Sequence, residues 1–242
     1  MKRKYALITG AAKRLGREIA LNLAKSGYDI LLFYNKSDVT QTIADIKKYG
    51  VSCEALKFDL TECDKIPDFM ENLNNQGLFE GNGLLVNNAS IFLRCLPEET
   101  TPQILDEIFR VNFFAPYQLT RIFSQYAECG SSVINIADSK AAKNGTAYSA
   151  YVLSKKALLD MTLQFAVSFA PRIRVNAICP GSIIASTDET LECFERRIEK
   201  APMKTAGSVE EVLDMIRFLH ESRLTGQILY ADGGMHVLTG EI

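Results

Sequence analysis

Seven short apolar runs recur from one end of the chain to the other. They are YALIT (5–9), DILLFY (29–34), SCEALKF (52–58), GLLVN (83–87), SVINIA (132–137), RIRVNAI (172–178) and GQILYA (226–231). Most are continuous rather than alternating, which is the pattern of strands covered on both faces. The stretches between them carry the helical period instead. Leu15, Ile19, Ala20 and Leu23 fall on one stripe, with Gly27 placed as a C-terminal cap. A longer helix is predicted from Ser149 to Ala170, stopped by Pro171. Strands alternating with helices predict an α/β fold, a doubly wound parallel seven-stranded sheet with helices on both faces. No linker, repeat or low-complexity tract interrupts the pattern, so residues 1–242 are expected to form a single domain.

Composition narrows the function. The 242 residues are 47% hydrophobic and 23% charged, enough chain for one large core, with a net charge of −2. That balance gives no basic patch for nucleic acid. No apolar run approaches the roughly 20 residues that span a bilayer. The start, MKRKYALITG, is basic then apolar, but its apolar part is too short for a signal peptide and is cut by Thr-Gly. A first buried strand in a cytoplasmic protein is the expectation. Cys53, Cys63, Cys95, Cys129, Cys179 and Cys193 show no C-x-x-C spacing and read as small buried hydrophobes or free thiols. The two histidines, His220 and His236, both lie near the C-terminus, which supports neither a histidine triad nor a metal site.

In such sheets a ligand sits at the carboxyl ends of the strands, where four motifs fall. TGAAKRLG (9–16) joins the first strand to the first helix. Gly10 permits a tight turn, and Gly16 lets the helix pack close with its amides toward a pyrophosphate, although an ordinary turn can carry the same glycines. Lys13 and Arg14 add positive charge, and Arg14 stands where many such loops have another glycine. The second strand ends Tyr34-Asn35-Lys36-Ser37, with no carboxylate until Asp38. An NAD site usually has an acid there for the ribose hydroxyl, whereas a lysine and a hydroxyl suit the 2′-phosphate of NADPH. The bland alternative is a solvated surface lysine. VNNAS (86–90) puts amides and a hydroxyl at the same edge, unless Asn87 and Asn88 are plain turn formers. Asn112 is a polar residue inside an apolar helix.

Tyr151 and Lys155 are one helical turn apart and share a face. Tyrosine, with a pKa of about 10, is a poor acid or base at neutral pH. A lysine ammonium at ~4 Å, in an effective dielectric of ~20, favours the phenolate by about 4 kcal/mol before desolvation. A tyrosine so tuned can give a proton to a substrate that receives hydride. Tyr148 has Val152 rather than lysine four residues on, so Tyr151 is taken as the acid.

In order and spacing, TGAAKRLG, NNAS, Asn112, YVLSK, CPG (179–181) and TGQILYADGG (225–234) resemble the motifs of the short-chain dehydrogenase/reductase family, over essentially the whole chain. The resemblance implies a Rossmann-like fold and a nicotinamide cofactor. Along that cofactor it places Gly10, Lys13, Arg14, Leu15 and Gly16, then Asn35, Lys36 and Ser37. Asp59 and Leu60 fall on the adenine side, and Asn88, Ala89 and Ser90 at the centre. Pro180 and Gly181 would flank the nicotinamide, Lys155 would meet its ribose beside Tyr151, and Asn112 would hold a proton-relay water. It also implies a homotetramer, with the helix from Ser149 and the C-terminal segment at the interfaces.

Position 138 departs from the common pattern. Most members have serine thirteen residues before the tyrosine, and this chain has Asp138. Ser139 is adjacent, but on a strand it would face the other way. Asp138, the arginine in TGAAKRLG and NNAS-x-F together resemble the pteridine reductase branch, in which the aromatic matched by Phe92 stacks on the pterin. MKTAGSVEEV (203–212) is similar to the dihydromonapterin reductases of that branch. A pterin needs hydride on a ring carbon and a proton on a ring nitrogen, and a carboxyl bonded to Tyr151 can pass that proton on. The expected substrate contacts are Arg14, Ser90, Phe92, Asp138 and Tyr151. Against this, Asp138 can be a simple cap and Phe92 ordinary core. The competing functions are a ketoreductase of an acyl-carrier or sugar ketone, and an idle dinucleotide-binding regulator.

Overall fold

The computed structural model describes residues 3–185 and 190–238. Residues 186–189 of the loop after the sixth strand, and the last four of the C-terminal segment, lie outside the described residues. Seven strands form one sheet: β1 (Lys4–Thr9), β2 (Asp29–Tyr34), β3 (Cys53–Lys57), β4 (Asn82–Asn87), β5 (Ser132–Ile136), β6 (Arg174–Pro180) and β7 (Ile228–Ala231). Their order is β3-β2-β1-β4-β5-β6-β7 and every neighbouring pair is parallel. The order reverses beside β1, and that crevice is where such sheets bind ligands.

The helices are α1 (Arg14–Lys25), α2 (Thr40–Lys47), α3 (Ile66–Asn75), α4 (Pro102–Phe109), α5 (Ala115–Tyr126), α6 (Ser149–Phe169), α7 (Leu191–Glu199) and α8 (Val209–Glu221). They divide the core into two layers. Tyr5 and Leu7 of β1 pack on the side of α3, α5 and α6. Ala6 and Ile8 pack on the side of α1 and α8. Burial on both faces is why β1, β4 and β5 read as continuous apolar runs. β3 is one of the two edge strands, with β7 at the other end, and only Cys53 of it is buried. Its Glu54 and Lys57 put charge where an open edge would otherwise invite pairing.

Local chemistry sets the boundaries. Ile19, Ala20 and Leu23 are the buried stripe of α1, and Gly27 follows its end at φ +82°. The expected MKTAGSVEEV motif contains the start of α8. Ser208 Oγ accepts from Glu211 N at 3.0 Å and Glu211 Oε2 accepts from Ser208 N at 3.0 Å, a reciprocal cap. Asn112 does not sit in a regular helix. It lies in a π-helical turn, Arg110–Phe114, that joins α4 to α5. Such turns insert one extra residue and re-aim a side chain.

Candidate active site

The carboxyl ends of the strands are tied together first. Thr9 Oγ1, at the end of β1, accepts from the amides of Asn88 and Ala89 at 2.9 Å each. Asn88 Nδ2 donates to the Thr9 carbonyl at 2.9 Å. Asn87 Nδ2 donates to Asn135 Oδ1 at 2.8 Å and to Thr120 Oγ1 at 3.1 Å. NNAS thus welds β1, β4 and β5 together, with Asn87 buried and Asn88 partly so. Gly10 takes φ +65°, and a Cβ on Gly16 would overlap the Gly10 carbonyl oxygen. Both glycines are required by close approach.

Two adjoining cavities open above this weld. The first, of ≈ 500 Å³, is walled by the glycine loop, by Asn35, Lys36 and Ser37, by Asp59 and Leu60, and by Asn88, Ala89 and Ser90. The second, of ≈ 740 Å³, shares Lys13, Arg14, Leu15, Asn88 and Ser90 with it. It continues to Phe92, Asp138, Tyr151, Lys155, Pro180 and Gly181. Every side chain expected at a cofactor or substrate lines one or the other. Asn112 lines neither and lies behind the wall.

In the first cavity the carboxylate question resolves clearly. Asp38 is turned away: its Oδ1 accepts from Thr40 N at 2.9 Å and Thr40 Oγ1 at 2.7 Å. Lys36 and Ser37 remain at the end of β2. Asp59 Oδ1 accepts from Thr61 N at 3.0 Å and Thr61 Oγ1 at 2.7 Å. Those bonds, then Asn35 and Lys36, hold its carboxyl below the usual range. Arg14 has φ +54°, a left-handed backbone costing about 1–2 kcal/mol in a residue with a side chain. That explains why glycine is common there. Its guanidinium reaches across the opening and donates to the carbonyls of Ala185 at 2.8 Å and Ile184 at 3.4 Å.

In the second cavity Asp138 plays both roles that its sequence position allowed. Oδ1 accepts from Lys140 N at 2.7 Å and caps a short 3₁₀ turn. Oδ2 accepts from the Tyr151 hydroxyl at 2.7 Å. The expected shift of Tyr151 is reversed. Its phenol is pushed well above the ordinary value, first by burial, then by the charge of Asp138 and the hydrogen bond to it. Lys155 does not offset this, because its Nζ lies 5.8 Å from the ring centroid and donates to the Ile136 carbonyl at 2.9 Å. Burial brings the Lys155 ammonium down to about 8, against the opposing pull of Asp138. The triad therefore holds a protonated phenol, a carboxylate accepting from it, and a lysine that is still mostly an ammonium at neutral pH.

Asn112 supports this group from behind. Its Oδ1 accepts from Ile91 N at 2.8 Å and Ser90 Oγ at 3.2 Å. Its Nδ2 donates to the Ile91 carbonyl and to Ser154 Oγ, both at 3.0 Å. All four hydrogen-bonding positions of the amide are filled by protein. The side chain joins the 88–91 loop to the helix that carries Tyr151.

Phe92 is 39% exposed and forms part of the cavity surface rather than the core. Tyr148 stacks on it at 4.5 Å and 17°, and Tyr151 meets it edge-on at 4.8 Å. Lys140 Nζ sits 5.5 Å from the Phe92 centroid and 5.8 Å from that of Tyr148. The sequence pattern sets Tyr148 aside as an acid and gives no signal for Lys140. Tyr148 lies three residues before Tyr151, a spacing that places both at one helix end. What seats Phe92 beside it is the pairing of Cys95 with the 147–149 turn, through Cys95 N to Ala147 O at 3.0 Å and Ser149 N to Cys95 O at 3.2 Å. Arg94, Cys193 and Arg197 complete the outer wall. Among the described residues there is no metal-binding cluster of His, Cys, Asp and Glu, and no helix long and apolar enough to cross a membrane.

A parallel sheet of this order, a glycine turn at β1 and a Tyr-x-x-x-Lys pair beside β5 define a nucleotide-binding oxidoreductase scaffold. The chain belongs to the short-chain dehydrogenase/reductase family, and the family model described as enoyl-(acyl carrier protein) reductase matches residues 10–236. Among curated relatives it is 28% identical to the 3-oxoacyl-(acyl-carrier-protein) reductase FabG of Staphylococcus epidermidis, over 97% of this chain and 99% of that one. It is also 28% identical to the dihydromonapterin reductase of Klebsiella pneumoniae, over 94% of this chain and 95% of that one. Among solved structures, FolM alternative dihydrofolate reductase 1 from Brucella canis, complexed with NADP, superposes with a TM-score of 0.90 at 30% identity, over 99% of this chain and 96% of that one.

Proposed function

We propose that the protein is an NADPH-dependent reductase that takes dihydropterins to the tetrahydro form. The observation that carries this is the 2.7 Å bond from the Tyr151 hydroxyl to Asp138, a carboxylate where carbonyl reductases of the family have a serine hydroxyl. The dihydromonapterin reductase and alternative dihydrofolate reductase relatives support it; the ketoacyl reductase FabG is equally similar over the whole chain, so position 138 carries the choice.

The residues present fit the cofactor. A glycine turn under the α1 N-terminus suits a pyrophosphate. Lys13, Lys36 and Ser37 offer cationic and hydroxyl donors for a 2′-phosphate, and Asp38, which would repel it, is turned away to Thr40. Asp59 and Leu60 would border the adenine, Lys155 the nicotinamide ribose, and Pro180 and Gly181 the nicotinamide. When bound, the cofactor supplies a hydride to the substrate ring carbon.

The protein's own work is the proton and the geometry. A raised phenol is a proton store at neutral pH, so Tyr151 starts protonated. The 2.7 Å bond lets its proton pass to the Asp138 carboxylate and on from there to the ring nitrogen, one proton for one hydride. The tyrosinate left behind regains its proton from solvent. Phe92, braced by Tyr148, gives the flat ring one apolar wall, while Ser90 and Arg14 border its polar edge. Asn112 acts as a positioning residue, fixing the loop of Ser90 to the helix of Tyr151.

Residues 1–242 act as one catalytic domain in this reading, assembled as a homotetramer. The outer face of α6 supports the assembly, with Leu153 and Val167 52% and 81% exposed. The functional test is NADPH oxidation with dihydropterins set against 3-oxoacyl and sugar ketones. Preference for a ketone would overturn the proposal.

A further inference from the structure

The end of β7 holds a cluster that lines neither cavity: Tyr230, Asp232 and His236. Asp232 is buried, its side chain 1% exposed. Burying a carboxylate is costly unless its oxygens are met by donors, and three N–H groups meet them here. Oδ1 accepts from Gly234 N at 3.1 Å and from His236 Nδ1 at 2.9 Å, and Oδ2 accepts from His236 N at 2.7 Å. A carboxylate only accepts, so Nδ1 carries the hydrogen and the orientation of the ring is fixed. So held, the imidazole lies flat on the Tyr230 ring, with centroids 4.0 Å apart and planes within 11°.

This cluster backs two parts of the site at once. Tyr230 stands opposite Cys179 in the β6–β7 ladder, and Ala231 opposite Pro180. Gly181 N donates to the Ala231 carbonyl at 2.8 Å, and a Cβ on Gly181 would stand 2.6 Å from Asp232 Cα. The Pro180–Gly181 step, expected to flank the nicotinamide, therefore rests directly on residues 231 and 232. The Met235–Val237 turn, which carries His236, also lies against the 139–142 turn that Asp138 caps. Tyr230 packs on the core layer that includes Ala137 and Ala141. β7 has only 4 residues and is the last strand of the sheet, so its ladder alone holds this end weakly.

We propose that His236 is a positioning residue for hydride transfer. Clamped by Asp232 and stacked on Tyr230, it fixes the Pro180–Gly181 floor of the nicotinamide against the turn that carries Asp138. The inference goes beyond the pterin reading and does not depend on it, because any substrate of a nicotinamide reductase must meet hydride and proton donor together. Reacting atoms have to lie about 3–3.5 Å apart, and a misplacement of about 1 Å can cost about 10²-fold. Removing a brace from a short edge strand permits such a shift. It leaves the cofactor bound, because the glycine turn and Lys36 lie at β1 and β2, away from β7 in the sheet order.

The experiment compares the full chain with His236→Ala, His236→Phe and His236→Asn. Phenylalanine keeps the stack without the side-chain hydrogen bond, and asparagine keeps a donor without the stack. Fluorescence titration reads NADPH affinity and the emission of the bound nicotinamide, with no substrate present. Stopped flow then gives the single-turnover rate of hydride transfer from bound NADPH to a dihydropterin, or to a 3-oxoacyl thioester if the parent reduces that instead. The pterin reading can therefore fail while this test stands. The expected result is a rate at least about tenfold lower in His236→Ala, with the Kd of NADPH within about twofold of the parent. The emission of the bound nicotinamide should shift toward that of free NADPH. Should His236→Ala fail to fold, a tenfold loss of rate in either of the other variants supports the inference and names the contact that does the work. Near-parent rates in every folded variant would overturn it. So would a loss matched by an equal loss of NADPH affinity, which makes His236 a general structural residue.

Discussion

Asp138→Asn and Asp138→Ala separate the two bonds that this carboxylate makes. Oδ1 caps the 139–142 turn through Lys140 N, and Oδ2 accepts from Tyr151. Asparagine keeps an oxygen for the cap and an amide that can still meet the phenol, but it cannot relay a proton. Alanine loses everything. A lost cap costs about 1 kcal/mol, and a buried hydroxyl left without a partner about 1–3 kcal/mol. For a chain of this size, roughly 2 kcal/mol lowers Tm by about 4–8 °C. Asp138→Ala should therefore melt several degrees lower, while Asp138→Asn should stay within about 2 °C of the parent. Both should lose at least ~10²-fold in pterin turnover, the low end for a positioned proton donor. The charge of Asp138 also raises the Tyr151 phenol, so in Asp138→Asn the tyrosine should titrate at lower pH. Calorimetry gives Tm, steady-state NADPH oxidation gives kcat, and ultraviolet difference titration follows the phenolate. Asp138→Asn with near-full activity would mean that the carboxylate is only a cap, and the proton route would be wrong.

Three further outcomes follow from other parts of the fold. Lys36→Asp should raise KM for NADPH at least tenfold more than that for NADH, and equal use of both cofactors by the unmodified protein would refute the 2′-phosphate assignment. His220, packed against Tyr28 and hydrogen-bonded to Ser132 at 2.6 Å, is pushed down to about 4 by burial, then by Arg174 and Lys4. Between an unfolded value of about 6.5 and that folded value the unfolded chain binds the extra proton, so stability falls as pH drops through the window, by up to about 3 kcal/mol. In His220→Gln the slope of Tm against pH below 6.5 should be shallower, and an unchanged slope would discount the histidine. Light scattering should give four times the chain mass of 26.9 kDa, and a single-chain mass at micromolar concentration would contradict the tetramer.

The strands were legible because burial on both faces writes a continuous apolar run, and the observed bounds differ from the predicted ones by about two residues at most. The wall of the first cavity was legible because its residues follow the strand ends in sequence. Three features were not. The Phe92–Tyr148 stack depends on Cys95 pairing with the 147–149 turn, a contact between distant segments that no periodicity encodes. The direction of the Tyr151 shift depends on burial and on Lys155 bonding to Ile136, so charge spacing along a helix gave the wrong sign. Asn112 sits in a π-helical turn whose extra residue leaves no mark in the hydrophobic pattern. The spacing of Asp138 from Tyr151 pointed to their contact, but that its two oxygens cap a turn and meet the phenol at once required the geometry of the turn.

The central claim is that this site reduces a pterin ring rather than a carbonyl. The most direct measurement gives the protein NADPH deuterated at nicotinamide C4, together with a dihydropterin and a 3-oxoacyl thioester in equal amounts, under nitrogen. Mass spectrometry then follows both products. The account predicts a tetrahydropterin carrying one deuterium on a ring carbon, formed at least tenfold faster than any labelled hydroxyacyl product. A labelled hydroxyacyl thioester with the dihydropterin left untouched would contradict it.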